Sequence, residues 1–99
     1  MKDKVKGFVY FISNGEAIKI GFSKNPVEKR LKQLQTGSSL KLSLVYSIEG
    51  VTMDFEKTLH NYFGSQYNKR GEFYESEAVM RWINQYKLNI EAQISEGII

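Results

Sequence analysis

The chain has 99 residues and carries 14 Lys and Arg against 11 Asp and Glu, a net charge of +3; that length suits one domain with a modest core. It has no cysteine, which removes disulfide frameworks, thiolate metal sites and Cys nucleophiles and makes the cytoplasm the expected compartment. Six Phe, six Tyr and one Trp argue against disorder, and neither a bilayer-length apolar run nor a signal-peptide pattern is present, so no membrane partner is expected.

Residues 7–13, Gly-Phe-Val-Tyr-Phe-Ile-Ser, are β-branched and aromatic and predict a buried strand. Asn14-Gly15 tolerates positive φ and predicts a tight hairpin, with residues 17–22 returning as the second strand. Ser23 and Asn25 offer N-caps, and Pro26 suits a first helical position. Val27, Leu31 and Leu34 then recur at helical spacing, predicting a helix over 26–35 that Gly37 stops. Residues 40–49 alternate, with Leu42, Leu44, Tyr46 and Ile48 on one face, and predict a third, half-buried strand ended by Gly50.

Thr52 and Asp54 open a second helix with the apolar stripe Phe55, Leu59 and Phe63. Residues 64–71 read as a polar loop and 72–75 as a short extended piece. Ser76 caps a third helix carrying Val79, Ile83 and Tyr86, with Met80 and Trp82 on its flanks. The last dozen residues lack a strong pattern. The order β-β-α-β-α-α predicts an α+β fold: a small three-stranded, largely antiparallel sheet flanked by helices. The expected organisation is one domain over 1–99, with a core at about 7–86 and a tail at 87–99.

Five polar positions interrupt these patterned elements: Tyr10, Lys19, Arg30, Glu56 and His60. The last two are four apart and share a helix face. Each has an ordinary reading alone. Tyr10 reads as a core aromatic, Lys19 as the outward residue of a strand, Arg30 as a solvated charge, and Glu56 and His60 as a surface pair. Lys19, Lys24, Lys29, Arg30 and Lys32 fall in one short stretch, which suits phosphate contact and equally suits a solvated helix face.

The combination is more specific. Gly-Phe-Val-Tyr at 7–10, Ile-Lys-Ile-Gly-Phe-Ser at 18–23 and Arg-Leu-Lys-Gln-Leu-Gln-Thr-Gly at 30–37 are followed by Phe-Glu-Lys-Thr-Leu-His-Asn-Tyr-Phe at 55–63 and Gly-Glu-Phe-Tyr-Glu at 71–75. In this order the chain resembles the GIY-YIG nuclease superfamily, in the compact subgroup frequent in phages and large DNA viruses, from Gly7 to about Trp82. The resemblance implies that Tyr10 helps deprotonate the attacking water and that Gly21 leaves the site uncrowded. It further implies that Arg30 contacts the scissile phosphate and that Glu56 holds a single Mg²⁺ or Mn²⁺. Ser23 and Gly37 close the second and third motifs and are expected to shape the site.

The second signature usually begins with tyrosine, and Lys19 stands there. A phenol is a poor base at neutral pH, and a neighbouring ammonium favours phenolate, so Lys19 is expected to assist Tyr10. His60 completes the subgroup's Glu-x-x-x-His pattern. It has two readings: bonding a phosphate oxygen or metal-bound water or orienting Glu56, or a structural histidine bonding Glu72 or a nearby loop. Glu72 is expected to close the Gly-Glu-Phe-Tyr loop against the first strand, and Glu75 is ambiguous.

The resulting expectation is a metal-dependent endonuclease acting on DNA, with Tyr10, Lys19, Arg30 and Glu56 meeting in one shallow pocket. RNA stays open as a substrate because nothing in the sequence reads a 2′-hydroxyl. The chain is nearly all catalytic core, so the expectation is low intrinsic specificity, or specificity lent by DNA structure or a recognition partner, and a homodimer would allow both strands to be cut. The alternative is a catalytically weak or inactive nucleic-acid-binding module of the same fold.

Overall fold

A computed structural model describes residues 5–95; the basic start at 1–4 and the end of the expected tail at 96–99 lie outside the described residues. The elements are β1 (Gly7–Ser13), β2 (Ala17–Ser23), α1 (Val27–Thr36), β3 (Ser43–Val51), α2 (Met53–Phe63), β4 (Asn68–Arg70), β5 (Phe73–Glu75) and α3 (Ser76–Ser95). The result is an α+β fold whose sheet is antiparallel throughout, in the order β3-β1-β2-β5-β4.

The sheet therefore has five strands where the sequence pattern predicts three. The two additions are three residues each, and β4 is exposed along its length, so neither shows the apolar alternation that marks a strand. They are held instead by turn chemistry: the Asn68 side-chain amide donates to the Gly71 carbonyl at 2.7 Å, inside the connection between β4 and β5.

Both faces of the central strands are covered, which is why β1 is apolar at nearly every position. Val9, Phe11, Ile18 and Ile20 face α2 and α3, packing with Leu59, Phe63, Val79 and Ile83. Tyr10 and Ile12 face the other way, with Val27 of α1 and Leu42, and Leu31 and Leu34 of α1 close over them. The predicted stripes of all three helices are the ones that pack; Tyr62 stays outside, 66% exposed.

Local details differ from the sequence expectation. The hairpin forms at Asn14-Gly15, yet only Gly15 takes positive φ, at 95°. Asn14 acts through its side chain, whose Oδ1 accepts from the amides of Glu16 and Ala17, both at 2.8 Å. On β3 the predicted single face Leu42, Leu44, Tyr46 and Ile48 is split by an irregularity between Phe11 and Ile12 of its partner strand. Tyr46 and Ile48 pair with Phe11 and Val9, whereas Leu44 pairs with Ile12 on the α1 side.

Neither Ser23 nor Asn25 caps α1. Pro26 occupies the N-cap without a side-chain bond, and the Ser23 hydroxyl turns the strand exit by donating to the Asn25 carbonyl at 2.8 Å. Gly37 does end the helix, its amide reaching the Leu34 and Gln35 carbonyls. Ser76 is the first residue of α3 and sends its hydroxyl to the Glu16 carbonyl at 3.4 Å, so its predicted capping bond is replaced by a contact to the hairpin. That helix runs on through the expected tail to Ser95.

One feature of the sheet sets up the site. β5 pairs with only Ala17, Ile18 and Lys19 of β2, and one further bond runs from the Ile20 amide to the Glu72 carbonyl at 3.1 Å. The ladder thus stops midway along β2.

Candidate functional site

Tyr10 pairs with Gly21 and Ile12 with Lys19 across the β1–β2 ladder, which puts all four on the α1 face. The Tyr10 ring lies directly over Gly21: a Cβ built there would sit 2.3 Å from both the phenol oxygen and the carbon bearing it. Glycine is the residue that permits this approach. Arg30, projecting from α1, brings Nε to 3.4 Å from the Tyr10 hydroxyl and Nη1 to 3.3 Å from Gln33 Oε1. Tyr10 itself is 2% exposed, so the phenol is a core side chain whose polar tip is met by Arg30.

Lys19 shares that face but not that contact. Its Nζ bonds Glu72 Oε1 at 2.6 Å and lies 5.6 Å from the centre of the Phe73 ring. The cation beside the Tyr10 oxygen is Arg30, and the expected assistance of Tyr10 by Lys19 gives way to an ion pair with Glu72 in the turn between β4 and β5. Sequence reading could not see this, because Glu72 lies 53 positions away. Glu72 also closes the loop against β2, through its carbonyl, where closure against β1 was expected.

Glu56 and His60 come from α2, on the opposite face of the sheet. The expectation that Tyr10, Lys19, Arg30 and Glu56 meet in one shallow pocket is therefore corrected: Glu56 rises from the face opposite Tyr10, and Lys19 pairs with Glu72. Glu56 lies beside His60 at the rim of β2, beyond the end of β5, whereas Tyr10 lies on the α1 face. His60 Nε2 meets the Ile20 carbonyl at 3.1 Å and lies 3.4 Å from Glu56 Oε2. Gly21, the next residue of β2, carries the Tyr10 contact. Glu72 reaches the same rim: one ligand atom each from Glu56, His60 and Glu72 fall within 4.8 Å of one another.

His60 Nδ1 bonds the Tyr74 hydroxyl at 2.6 Å. Tyr74, on β5, was not singled out by the sequence reading beyond its place in the Gly-Glu-Phe-Tyr-Glu motif. Burial raises its hydroxyl pKa above the ordinary 10.0, and the charges of Glu72 and Glu56 push the same way against an Asn68 hydrogen bond.

The expected phosphate-binding lysines Lys24, Lys29 and Lys32 are exposed. Lys29 and Arg30 border a small hollow of about 140 Å³ with Ser23 and Gln33. A larger groove of about 580 Å³ runs along the α1 face beside Lys19, with Leu34 and Leu42 on one side and Lys69, Arg70 and Phe73 on the other. Gly37 also lines it. Lys69 and Arg70 have no ion pair among the described residues, leaving the groove's outer wall basic. No described helix is long and apolar enough to cross a membrane.

The small α+β architecture, with a Tyr–Arg pair on one face of the sheet and a Glu–His pair at the rim, is consistent with a nuclease-like fold. The chain matches the T5orf172 domain over residues 7–87 and belongs to that family, a domain found in phage and other nuclease-like proteins. No curated protein and no solved structure matches the chain.

Proposed function

We propose that this chain is a GIY-YIG-type endonuclease that hydrolyses DNA phosphodiester bonds at the β2 rim. The observation that carries the reading is the contact set at Gly21: a phenol oxygen packed on a backbone with no Cβ, with Arg30 Nε 3.4 Å away. A core tyrosine needs neither of those neighbours. Membership of a family found in nuclease-like proteins supports the same conclusion.

The donor set at the rim fits one hard cation. Glu56 and Glu72 offer carboxylate oxygens, and both ring nitrogens of His60 already have protein partners. Glu56 would hold a Mg²⁺ or Mn²⁺ ion, with Glu72 in reach. When bound, such an ion neutralises charge on the phosphate and its oxygens. The protein's own residues have separate tasks: Arg30 grips nonbridging phosphate oxygens, Tyr10 in its deprotonated, phenolate form accepts a proton from the attacking water and becomes the phenol, and His60 orients Glu56. Lys24, Lys29 and Lys32 hold the flanking backbone, and the basic groove beside Lys19 lets the strand continue.

A non-catalytic nucleic-acid-binding module is the second reading, favoured by two observations. Tyr10 is 2% exposed, and the Lys19 ammonium is already paired. One assay separates the two: supercoiled plasmid and branched DNA incubated with the protein in Mg²⁺, Mn²⁺ or EDTA. Metal-dependent nicking that disappears in Glu56→Ala and Tyr10→Phe establishes the nuclease. Binding without cleavage on every substrate and metal establishes the module. The same assay on RNA decides the substrate class, and sedimentation decides whether a homodimer forms.

A further inference from the structure

His60 is the only histidine of the chain, and both of its ring nitrogens are engaged by protein. A backbone carbonyl only accepts, so the 3.1 Å contact to Ile20 requires the proton on Nε2. In the neutral ring Nδ1 is then an acceptor, and the Tyr74 hydroxyl at 2.6 Å donates to it. Tyr74 is 5% exposed and its ring packs against both His60 and Phe63, with centroids 5.3 and 5.6 Å apart. A phenol is protonated at neutral pH, so the hydroxyl is available as the donor.

We infer that Tyr74 is a positioning residue: its hydroxyl fixes the His60 ring so that Nε2–H, pinned to the Ile20 carbonyl, faces and orients the Glu56 carboxylate. The imidazole is a strut in this arrangement and not a metal ligand. The inference rests on the reading of Glu56 as the residue that holds the cation, and it adds a selectivity. With imidazole withheld, the site offers oxygen alone, which suits Mg²⁺ and Mn²⁺ and forgoes the nitrogen donor that zinc-like ions seek.

The single imidazole makes the test direct, by ¹H–¹⁵N NMR of the labelled chain at pH about 8, where an ordinary imidazole is neutral. The expected spectrum shows Nε2 protonated, Nδ1 unprotonated, and a correlation between Nδ1 and the Tyr74 hydroxyl proton. Addition of Mg²⁺ or Zn²⁺ leaves the Nε2 proton in place. A proton on Nδ1, no Tyr74 correlation, or loss of the Nε2 proton to either metal overturns the inference. In Tyr74→Phe the Nε2 proton exchanges faster with solvent and Mg²⁺ binds about tenfold more weakly, the low end of what losing a group behind a metal ligand costs. Unchanged exchange together with unchanged affinity also overturns it. If the parent protein binds no Mg²⁺, the cation reading of Glu56 fails separately, while the spectrum and the exchange rate in Tyr74→Phe still decide the role of Tyr74.

Discussion

The ammonium of Lys19 sits 2.6 Å from a carboxylate oxygen of Glu72, and the two ends of this pair are unequally placed. The lysine side chain is 17% exposed and the glutamate side chain 52% exposed, so the carboxylate is the partner with room to leave. A phosphate arriving in the adjoining groove meets Lys19 already occupied by an anion of its own chain.

Glu72→Gln should therefore tighten nucleic-acid binding. A partly exposed pair is worth up to about 1 kcal/mol, which corresponds to about fivefold in affinity at low salt. Freeing one lysine for phosphate should also steepen the slope of log K against log salt by about 0.9. Fluorescence anisotropy across a salt series measures both. Weaker binding, or an unaltered slope, would show that Lys19 does not reach phosphate.

Gly21→Ala tests the approach of Tyr10. The new methyl group would lie 2.3 Å from the phenol oxygen and its carbon, inside a packed face of the sheet. The expected cost is about 1–3 kcal/mol, typical of overpacking. In a Tyr10→Leu background the same substitution should cost less, because the colliding atoms are gone. Urea denaturation of the four proteins gives the coupling; strict additivity would mean that the ring moves aside freely.

Arg30 separates activity from stability. The residue is exposed, so Arg30→Ala should leave the unfolding midpoint within a few degrees while cleavage falls about 100-fold or more. Arg30→Lys keeps the charge but loses the planar fork and should recover only part of the rate. Nicking rates and thermal melts of the two variants provide the comparison. A large drop in melting temperature without any change in rate per folded molecule would assign Arg30 to structure.

Alkaline pH supplies a test of stability, with Tyr86 as the group that lies outside the site. Tyr86, and Tyr74 with it, have pKa values raised above 10.0, burial being the larger cause in each case. A group whose folded pKa is raised contributes its full stability below the unfolded value and loses it as pH climbs toward the folded one. Stability should hold up to about pH 9 and decline above 10. The decline should be shallower in Tyr86→Phe, as measured by urea midpoints between pH 8 and about 11. Identical alkaline profiles would remove Tyr86 as a cause.

Periodicity made most of the framework legible. The apolar run of β1 and the stripe Phe55, Leu59 and Phe63 follow from spacing that a packed core enforces, and the Asn14-Gly15 hairpin follows from its turn residues. What escaped depends on partners distant in sequence or too few in number. β4 is exposed along its length and leaves no pattern, the pairing of the extended piece at 72–75 with β2 cannot be read locally, and the irregularity on β3 is invisible until its partner strand is known. At the site, the residue types at Tyr10, Arg30, Glu56 and His60 were readable as motifs. That Arg30 and not Lys19 meets the phenol, that Glu56 rises from the other face, and that Tyr74 secures His60 were not. Each depends on which side of a strand a residue faces and on contacts between separate elements, such as His60 with Tyr74, fourteen positions away.

A ladder that ends partway along β2 leaves backbone groups on a rim where another chain could add as a strand. The imidazole of His60 fills the carbonyl position at Ile20 that such a visitor would need first. Removing the ring should therefore show itself in self-association as well as in chemistry: a His60→Ala protein is expected to aggregate on standing where its parent stays dispersed.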